Sequence, residues 1–281
     1  MKEKVKASLK SVFDIIKKPE MKVLPGQLAF FFVLSMVPII TLIGYSATFF
    51  GLSMKRIVAF LSTSFSSEIA SLLVPIIDGK SFDSHLFFFI CISYFIASNG
   101  SHSIIISSNA IYGIENSTWL KRRIKSLFMT FFLVLLFIFI LVVPVFGSKI
   151  LGLIDAINPN LDSINLLKRI YPYINPPITL FIIFISIKII YTMAPDQKTH
   201  SVTVNKGSIF TTIFWFIITE IYTFYIHNLA HYDLFYGGLS NIVILMLWIY
   251  FMAYIFVIGM ALNHKEEVNM LEKTGNINIK D

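Results

Sequence analysis

The chain has 281 residues, of which 56% are hydrophobic and only 14% are charged. A soluble domain carries about 25% charged residues, so this composition excludes an ordinary soluble protein and predicts a chain mostly inside a bilayer. The formal net charge of +7 would suggest nucleic-acid binding in a soluble protein, but in a membrane protein the position of the charges is more informative.

Six apolar runs are long enough to cross a membrane, which needs roughly 20 mostly apolar residues. They are about Leu28–Phe50, His85–Ser107, Ser126–Phe146, Pro177–Ala194, Ser208–Ile226 and Leu239–Leu262. The sequence therefore predicts an all-α integral membrane protein with six transmembrane helices. Residues 1–27 are expected to form a basic cytoplasmic tail, 28–262 the membrane domain and 263–281 a cytoplasmic C-terminal tail. The first 27 residues are too polar for a signal peptide.

Lysine and arginine are distributed unevenly between the two sides of the predicted bundle. The N-terminal tail, the second-to-third and fourth-to-fifth loops and the C-terminal tail carry 16 of the 23. The other three loops carry six, and Lys188 lies within a span. Because basic residues accumulate in cytoplasmic loops, this asymmetry predicts a cytoplasmic (inner) membrane protein with both termini in the cytoplasm.

Two segments outside the spans are predicted to be amphipathic helices at the membrane surface. In residues 5–18 the apolar positions share one helical face, lysines lie elsewhere, and Pro19 should end the helix. This helix would be drawn to anionic lipid at the cytoplasmic face; the alternative is a plain polar tail. Residues 57–77 also carry an apolar stripe at helical spacing. They are interpreted as an outer interfacial helix, because a seventh span would break the charge alternation.

Prolines are expected to shape two regions. Pro38 lacks the amide hydrogen that the carbonyl of Leu34 needs, so a kink is predicted in the first span. The segment 148–176 includes Pro159, Pro172 and Pro176, and it is predicted to be an outer loop with at most one short helix.

The end of the second span is unusually polar. Its candidate site residues are Ser98, Asn99, Ser101, His102 and Asn109. Hydrocarbon holds no water, so each of these groups needs a protein partner or a wet cavity. This face of the helix is therefore expected to point at other helices, and residues 109–113 are interpreted as the start of the inner loop.

Two charged residues fall inside spans. Lys188 is close enough to the inner end of the fourth span for its long side chain to reach the interface. Glu220 lies near the middle of the fifth span, where a carboxyl group is costly unless it faces the bundle interior or water. Glu220 is predicted to face the polar second span and to share a functional site with it. The alternative is a packing residue that only hydrogen-bonds.

Several short motifs, in order along most of the chain, resemble the YihY/BrkB family of bacterial inner-membrane proteins. They are residues 28–32 with Ser35 and Pro38, then 109–112, Tyr191 with Pro195, and 236–263 with Trp248, Tyr250, Gly259 and Asn263. The resemblance implies six α-helical spans with both ends inside. The family usually has a glutamate where this chain has Ala261, so a role carried by that acid is in doubt here.

The resemblance also brings an older label, ribonuclease BN, which the residues do not support. Phosphodiester hydrolysis needs a metal cluster or an acid–base pair that RNA can reach. His227 and His231 have metal-ligand spacing, but they lie at the predicted outer end of the fifth span. No enzyme, metal, cofactor or nucleic-acid partner is therefore predicted. Two functions stay open: a transporter or lipid-handling protein, and a non-transporting envelope or scaffold factor.

Overall fold

The computed structural model describes residues 12–17, 19–35, 84–115, 118–135, 162–228 and 239–274, and its regular structure within these ranges is helical. In chain order the α-helices are α1 (12–16), α2 (24–35), α3 (Ser84–Tyr112), α4 (119–135), α5 (Asp162–Met193), α6 (Asn205–Asn228) and α7 (Leu239–Lys273). A short 3-10 helix, Pro19–Lys22, connects α1 to α2. The expected all-α class is thus confirmed for the described ranges.

Three stretches in these ranges are long and apolar enough to cross a membrane: Pro176–Met193, Asn205–Tyr225 and Val243–Lys273. They overlap the predicted fourth, fifth and sixth spans, and the last extends beyond the predicted end at Leu262. The predicted second span is described as α3 but is not among these three stretches, and the first and third continue beyond residues 35 and 135, so the total of six stays a prediction. The proposed kink at Pro38 and the interfacial helix at 57–77 lie outside the described residues.

The start of the fold leaves most of the predicted amphipathic segment untested, because residues 5–11 lie outside the described ones. Within α1, Ile15 is buried whereas Phe13 and Ile16 are exposed. The α-helix ends before Pro19, where the 3-10 helix begins. The placement of this segment on a lipid surface remains a prediction.

The predicted outer loop at 148–176 is wrong from residue 162 onward, because α5 begins at Asp162. Pro172, Pro176 and Pro177 all lie inside this helix. A proline removes one amide donor and disfavours the helix locally. In a membrane bundle, neighbouring helices and side chains satisfy the freed carbonyls, so the helix persists. The sequence interpretation treated these prolines as stop signals and therefore started the helix too late.

The second helix is also longer than predicted, so residues 109–112 are its last turn and not an inner loop. Gly113 ends the helix with a φ of 66°, a left-handed conformation that glycine adopts at little cost. The Ile114 amide donates to the carbonyl of Asn109 at 2.9 Å, and the Gly113 amide donates to that of Ala110 at 3.4 Å. This pair of bonds is a Schellman motif. Asn109 consequently projects from a regular helix with a fixed direction.

The core is organised around α7, which packs most extensively on α6 and also contacts α3 and the 3-10 helix. Helices α6 and α7 cross at Gly207 and Gly259, where a Cβ on either glycine would overlap atoms of the other helix. The lack of a side chain at both positions allows this close contact. The amide of Gly207 donates to Asn263 Oδ1 at 2.7 Å.

Tyr191 joins three helices at the same level. Its ring is fully buried, and its hydroxyl donates to the carbonyl of Phe256 at 2.8 Å. The same hydroxyl is 2.6 Å from Thr211 Oγ1. Tyr191 therefore fixes α5 against both α6 and α7.

Candidate functional site

The polar end of α3 lies against α2 and α4, as its composition required. The amide of Gly100 donates to Ser35 Oγ of α2 at 3.1 Å. Thr130 of α4 donates to Ser101 Oγ at 2.7 Å. Ser98 is also buried, but its hydroxyl donates only to the carbonyl of Phe95 in its own helix, at 2.6 Å. Of these groups, Ser101 and the amide of Gly100 contact neighbouring helices, whereas the hydroxyl of Ser98 does not.

Arg123 of α4 is the buried charge beside this face, with only 7% of its surface exposed. Its Nη1 donates to Asn99 Oδ1 and its Nη2 to the carbonyl of Phe95, both at 2.9 Å. The guanidinium carbon also lies 3.8 Å from the centroid of the Phe95 ring. Within the described chain Arg123 contacts no carboxylate, and its Nε is buried with no hydrogen-bond partner. Its positive charge is thus solvated by neutral groups alone.

His102 lies near Arg122 and Arg123 of α4. Its Nδ1 is buried and has no partner among the described residues, and the same holds for the hydroxyl oxygens of Ser103 and Ser107. A buried polar atom without a partner costs about 1–3 kcal/mol. This part of α3 therefore carries more buried polar groups than the described residues around it can hydrogen-bond.

Asn109 belongs to a second cluster, which joins α3, α4 and the turn after α5. Its side-chain amide donates to Asp196 Oδ2 at 2.8 Å, and the Asp196 amide returns a bond to Asn109 Oδ1 at 3.0 Å. Lys125 Nζ bonds the other oxygen of Asp196 at 2.7 Å and also the carbonyls of Ala194 and Pro195. Burial lowers the pKa of Lys125, and the carboxylate of Asp196 opposes that shift. The cluster fixes the ends of three helices.

A third polar cluster lies on the C-terminal side of Leu262, where the predicted sixth span ends. Glu267 is buried, accepts a bond from Thr203 and lies 2.7 Å from His200 Nδ1. Burial by itself would raise the pKa of Glu267, but the hydrogen bonds from Thr203 and His200 outweigh it, so the pKa is lowered. Burial raises the pKa of Tyr112 at the end of α3, and the charge of Glu267 adds to that shift.

The structure does not bring Glu220 and Lys188 into either α3 cluster. Glu220 is exposed and makes no hydrogen bond or ion pair with another described residue. Its helix, α6, packs mainly against α5 and α7 and not against α3. Lys188 is partly buried, and no ion pair joins it to Glu220 in the described ranges. The shared site of Glu220 and the second span stays a prediction.

Sequence reasoning missed Asp196 and Glu267. Both are acids that follow closely on the end of an apolar run, which is a weak signal for a helix-end ion pair. Arg123 and Lys125 were interpreted as topology determinants. They are two residues apart and therefore point in different directions on a helix, one toward Asn99 and one toward Asp196.

In the part of the chain that the structure describes, no group of three or more His, Cys, Asp or Glu side chains is placed to hold a metal ion. His227 lies in α6, but its side chain is not among the described ones, and His231 falls outside the described residues. The arrangement of these two histidines therefore remains untested.

Comparisons with known proteins agree on one family. The family model described as "Virulence factor BrkB" matches residues 12–277. Among curated proteins, the "Putative ribonuclease-like protein YfkH" of Bacillus subtilis (strain 168) is 27% identical over 260 residues. That alignment covers 91% of this chain and 93% of the relative. No solved structure matches the chain.

Proposed function

Because this chain belongs to the BrkB family, we propose that it is a multi-pass protein of the cytoplasmic membrane that acts as a transporter or lipid-handling protein. In this proposal six helices span the bilayer, both termini are cytoplasmic, and amphipathic helices lie on the membrane surface. The functional site is the polar face of α3 together with the side chains of α4 that contact it.

The observation that supports this proposal is the set of buried polar groups around Arg123 that lack a charged partner or any hydrogen-bond partner in the described chain. The guanidinium has only neutral partners in the described chain, and the nearby Nδ1 of His102 has none. Charged and polar groups inside a membrane protein are expensive, and they commonly mark a path for a substrate or an ion. Glu220 and Lys188 are kept in the proposal as further groups of that path.

A scaffold or envelope factor is the second candidate, and a different observation favours it. The Asn109–Asp196–Lys125 cluster and the Ser101–Thr130 bond are fully paired contacts that lock helices together. A protein built only for rigidity would need such contacts and no open path.

We do not include a catalytic step in the proposal. The sequence contains no HExxH, Walker A or GxSxG motif. The two carboxylates of the polar clusters described above, Asp196 and Glu267, already accept bonds from neighbouring side chains. The word ribonuclease-like is part of the name of the Bacillus relative, and we do not extend it to this chain.

The test is lipid movement by the purified protein in liposomes. Lipids carrying a fluorophore on the headgroup side are added to both leaflets, and a membrane-impermeant quencher reports the fraction that reaches the outer leaflet. The proposal expects wild-type protein to accelerate this exchange. Asn99→Leu should slow it, because leucine cannot accept the hydrogen bond from Arg123 Nη1. Lys198→Gln, which changes an exposed residue that contacts neither Asn99 nor Arg123, serves as the control and should behave as wild type.

The scaffold alternative expects a different pattern. Correctly folded wild-type protein would then move no lipid, and the Asn99→Leu variant would restore normal envelope growth in a deletion strain as well as wild type does. That combined result would contradict the proposal.

A further inference from the structure

The basic cluster at the start of α4 keeps a positive charge that the described chain does not neutralise. Its cations are Lys121, Arg122, Arg123 and Lys125, and residues 119–135 contain no Asp or Glu. Asp196 pairs with Lys125, and Arg123 has only neutral partners. Lys121 is exposed and makes no hydrogen bond or ion pair with another described residue. A cationic surface therefore lies at the predicted inner end of α4.

An exposed apolar stripe of α4 begins one turn after Lys121, on the same side of the helix. Lys121, Ile124, Phe128, Phe131 and Leu135 recur at spacings of three and four, so they share one side of the helix. All five are exposed. From Ile124 to Leu135 the helix rises about 16 Å at 1.5 Å per residue, close to half of the ~30 Å hydrocarbon core. The stripe has the length of one leaflet.

Helix α3 adds a second exposed stripe that ends at the same arginine. Phe88, Ile92 and Phe95 are exposed and lie at helical spacing. The ring and the carbonyl of Phe95 both contact Arg123. The hydroxyl of Tyr94 donates to the carbonyl of Leu127 and holds the two helices together at this level. Two apolar stripes thus flank one buried cation.

We infer that the junction of α3 and α4 binds an anionic phospholipid of the inner leaflet. Lys121 contacts the phosphate, and Arg123 contributes its charge from within the protein because it is buried. The acyl chains lie along the stripe Ile124–Leu135, and the exposed ring of Phe95 borders the site where it contacts Arg123. Exposed Trp119 lies one turn or less from Lys121, at the level where indole rings meet headgroups. This inference names the lipid class for the proposed lipid-handling function and rests on it.

A lipid fits these features better than a free anion does. A soluble phosphate would use the cations alone and would gain nothing from an exposed apolar surface of one leaflet's length. A neutral lipid would use the stripes alone and would leave the cations without a counter-charge. An anionic phospholipid satisfies both halves of the site.

The test is a titration of the detergent-purified, full-length protein with phosphatidylglycerol, with the melting temperature as the readout of binding. Phosphatidylcholine and inorganic phosphate are titrated in parallel. One basic residue near an anionic lipid surface contributes binding energy equivalent to about fivefold in affinity. Lys121→Gln should therefore weaken phosphatidylglycerol binding about fivefold. Lys198→Gln, which removes the same charge from an exposed lysine outside the junction, should leave it unchanged.

A second variant tests the apolar half without touching a charge. Phe128→Ser makes the exposed stripe polar at its centre, and it should also weaken phosphatidylglycerol binding while the melting temperature without lipid stays close to wild type. Equal weakening by Lys121→Gln and Lys198→Gln would overturn the inference. Equal stabilisation by phosphatidylcholine or by inorganic phosphate would also overturn it.

Binding and lipid movement are measured separately, so the two proposals can fail separately. Selective phosphatidylglycerol binding without transbilayer movement would refute the proposed function and leave the lipid site. Movement without selective binding would refute the lipid site alone.

Discussion

Adding one methyl group at Gly207 should disrupt the crossing of α6 and α7. A Cβ at this position would overlap the carbonyl oxygen of Gly259 and the side-chain amide of Asn263. The first obstacle is backbone, so no side-chain rotation relieves it. The second is the group that accepts the Gly207 amide bond at 2.7 Å, so moving it away breaks that bond.

The expected destabilisation follows from three terms. Overpacking a close-packed interior costs about 1–3 kcal/mol, and losing the Asn263 bond costs about 1 kcal/mol more. Alanine recovers about 0.5–1 kcal/mol in a helix relative to glycine. Gly207→Ala should therefore destabilise the protein by roughly 1–3 kcal/mol net. Gly26→Ala is the matched control, because nothing lies within 4 Å of its Cβ position in α2. It should be neutral or slightly stabilising.

The assay is fluorescence-detected size-exclusion chromatography after heating, which reports the fraction of each variant that stays folded in detergent. We expect Gly207→Ala to lose its folded peak at a clearly lower temperature than both wild type and Gly26→Ala. If the Gly207→Ala and Gly26→Ala variants melted together at the wild-type temperature, α6 and α7 could not cross as closely as described.

Three further outcomes are expected. Tyr191→Phe removes the hydroxyl bonded to Phe256 and Thr211, and it should lower the stability by about 1–3 kcal/mol in the same heating assay; an unchanged melting temperature would refute this. Because the pKa of Glu267 is lowered from 4.5, the stability that it provides is complete above that pH and is lost as the pH falls through the folded value. Melting temperatures measured from pH 6 to pH 3 should therefore fall less for Glu267→Gln than for wild type, and parallel curves would count against the contact. Glu220→Gln should abolish lipid movement at normal membrane levels if the carboxyl is functional, and full retention would assign Glu220 to packing.

The sequence predicted the later helices well because their apolar runs are long and lightly interrupted. Leu239 is the first residue of α7 in both the prediction and the structure. The start of α5 was missed because prolines at 172, 176 and 177 are local signals for the end of a helix, whereas the helix in the structure runs through all three.

The candidate site shows the same division between local and distant information. The low polarity of the bilayer was enough to predict that the polar residues of α3 need partners. It could not identify those partners, because Asp196 lies 87 residues from Asn109 in the sequence. Nothing in the residue pattern distinguished Arg123, which contacts Asn99, from Arg122 beside it. The close approach of the helices at Gly259 agrees with residue size, because only small residues allow such an approach.

The central place of α7 has a consequence for how this chain is made. The buried core joins Ile15 and Leu28 to Ala253 and Phe256, which are translated much later. The nascent chain must therefore hold α1 and α2 in the membrane, with their apolar faces against lipid or an insertase, until α7 has left the ribosome. The core is complete only after α7 has been synthesised. Such non-local closure is slow compared with folding through neighbouring contacts, and it makes every prematurely terminated chain a candidate for proteolysis.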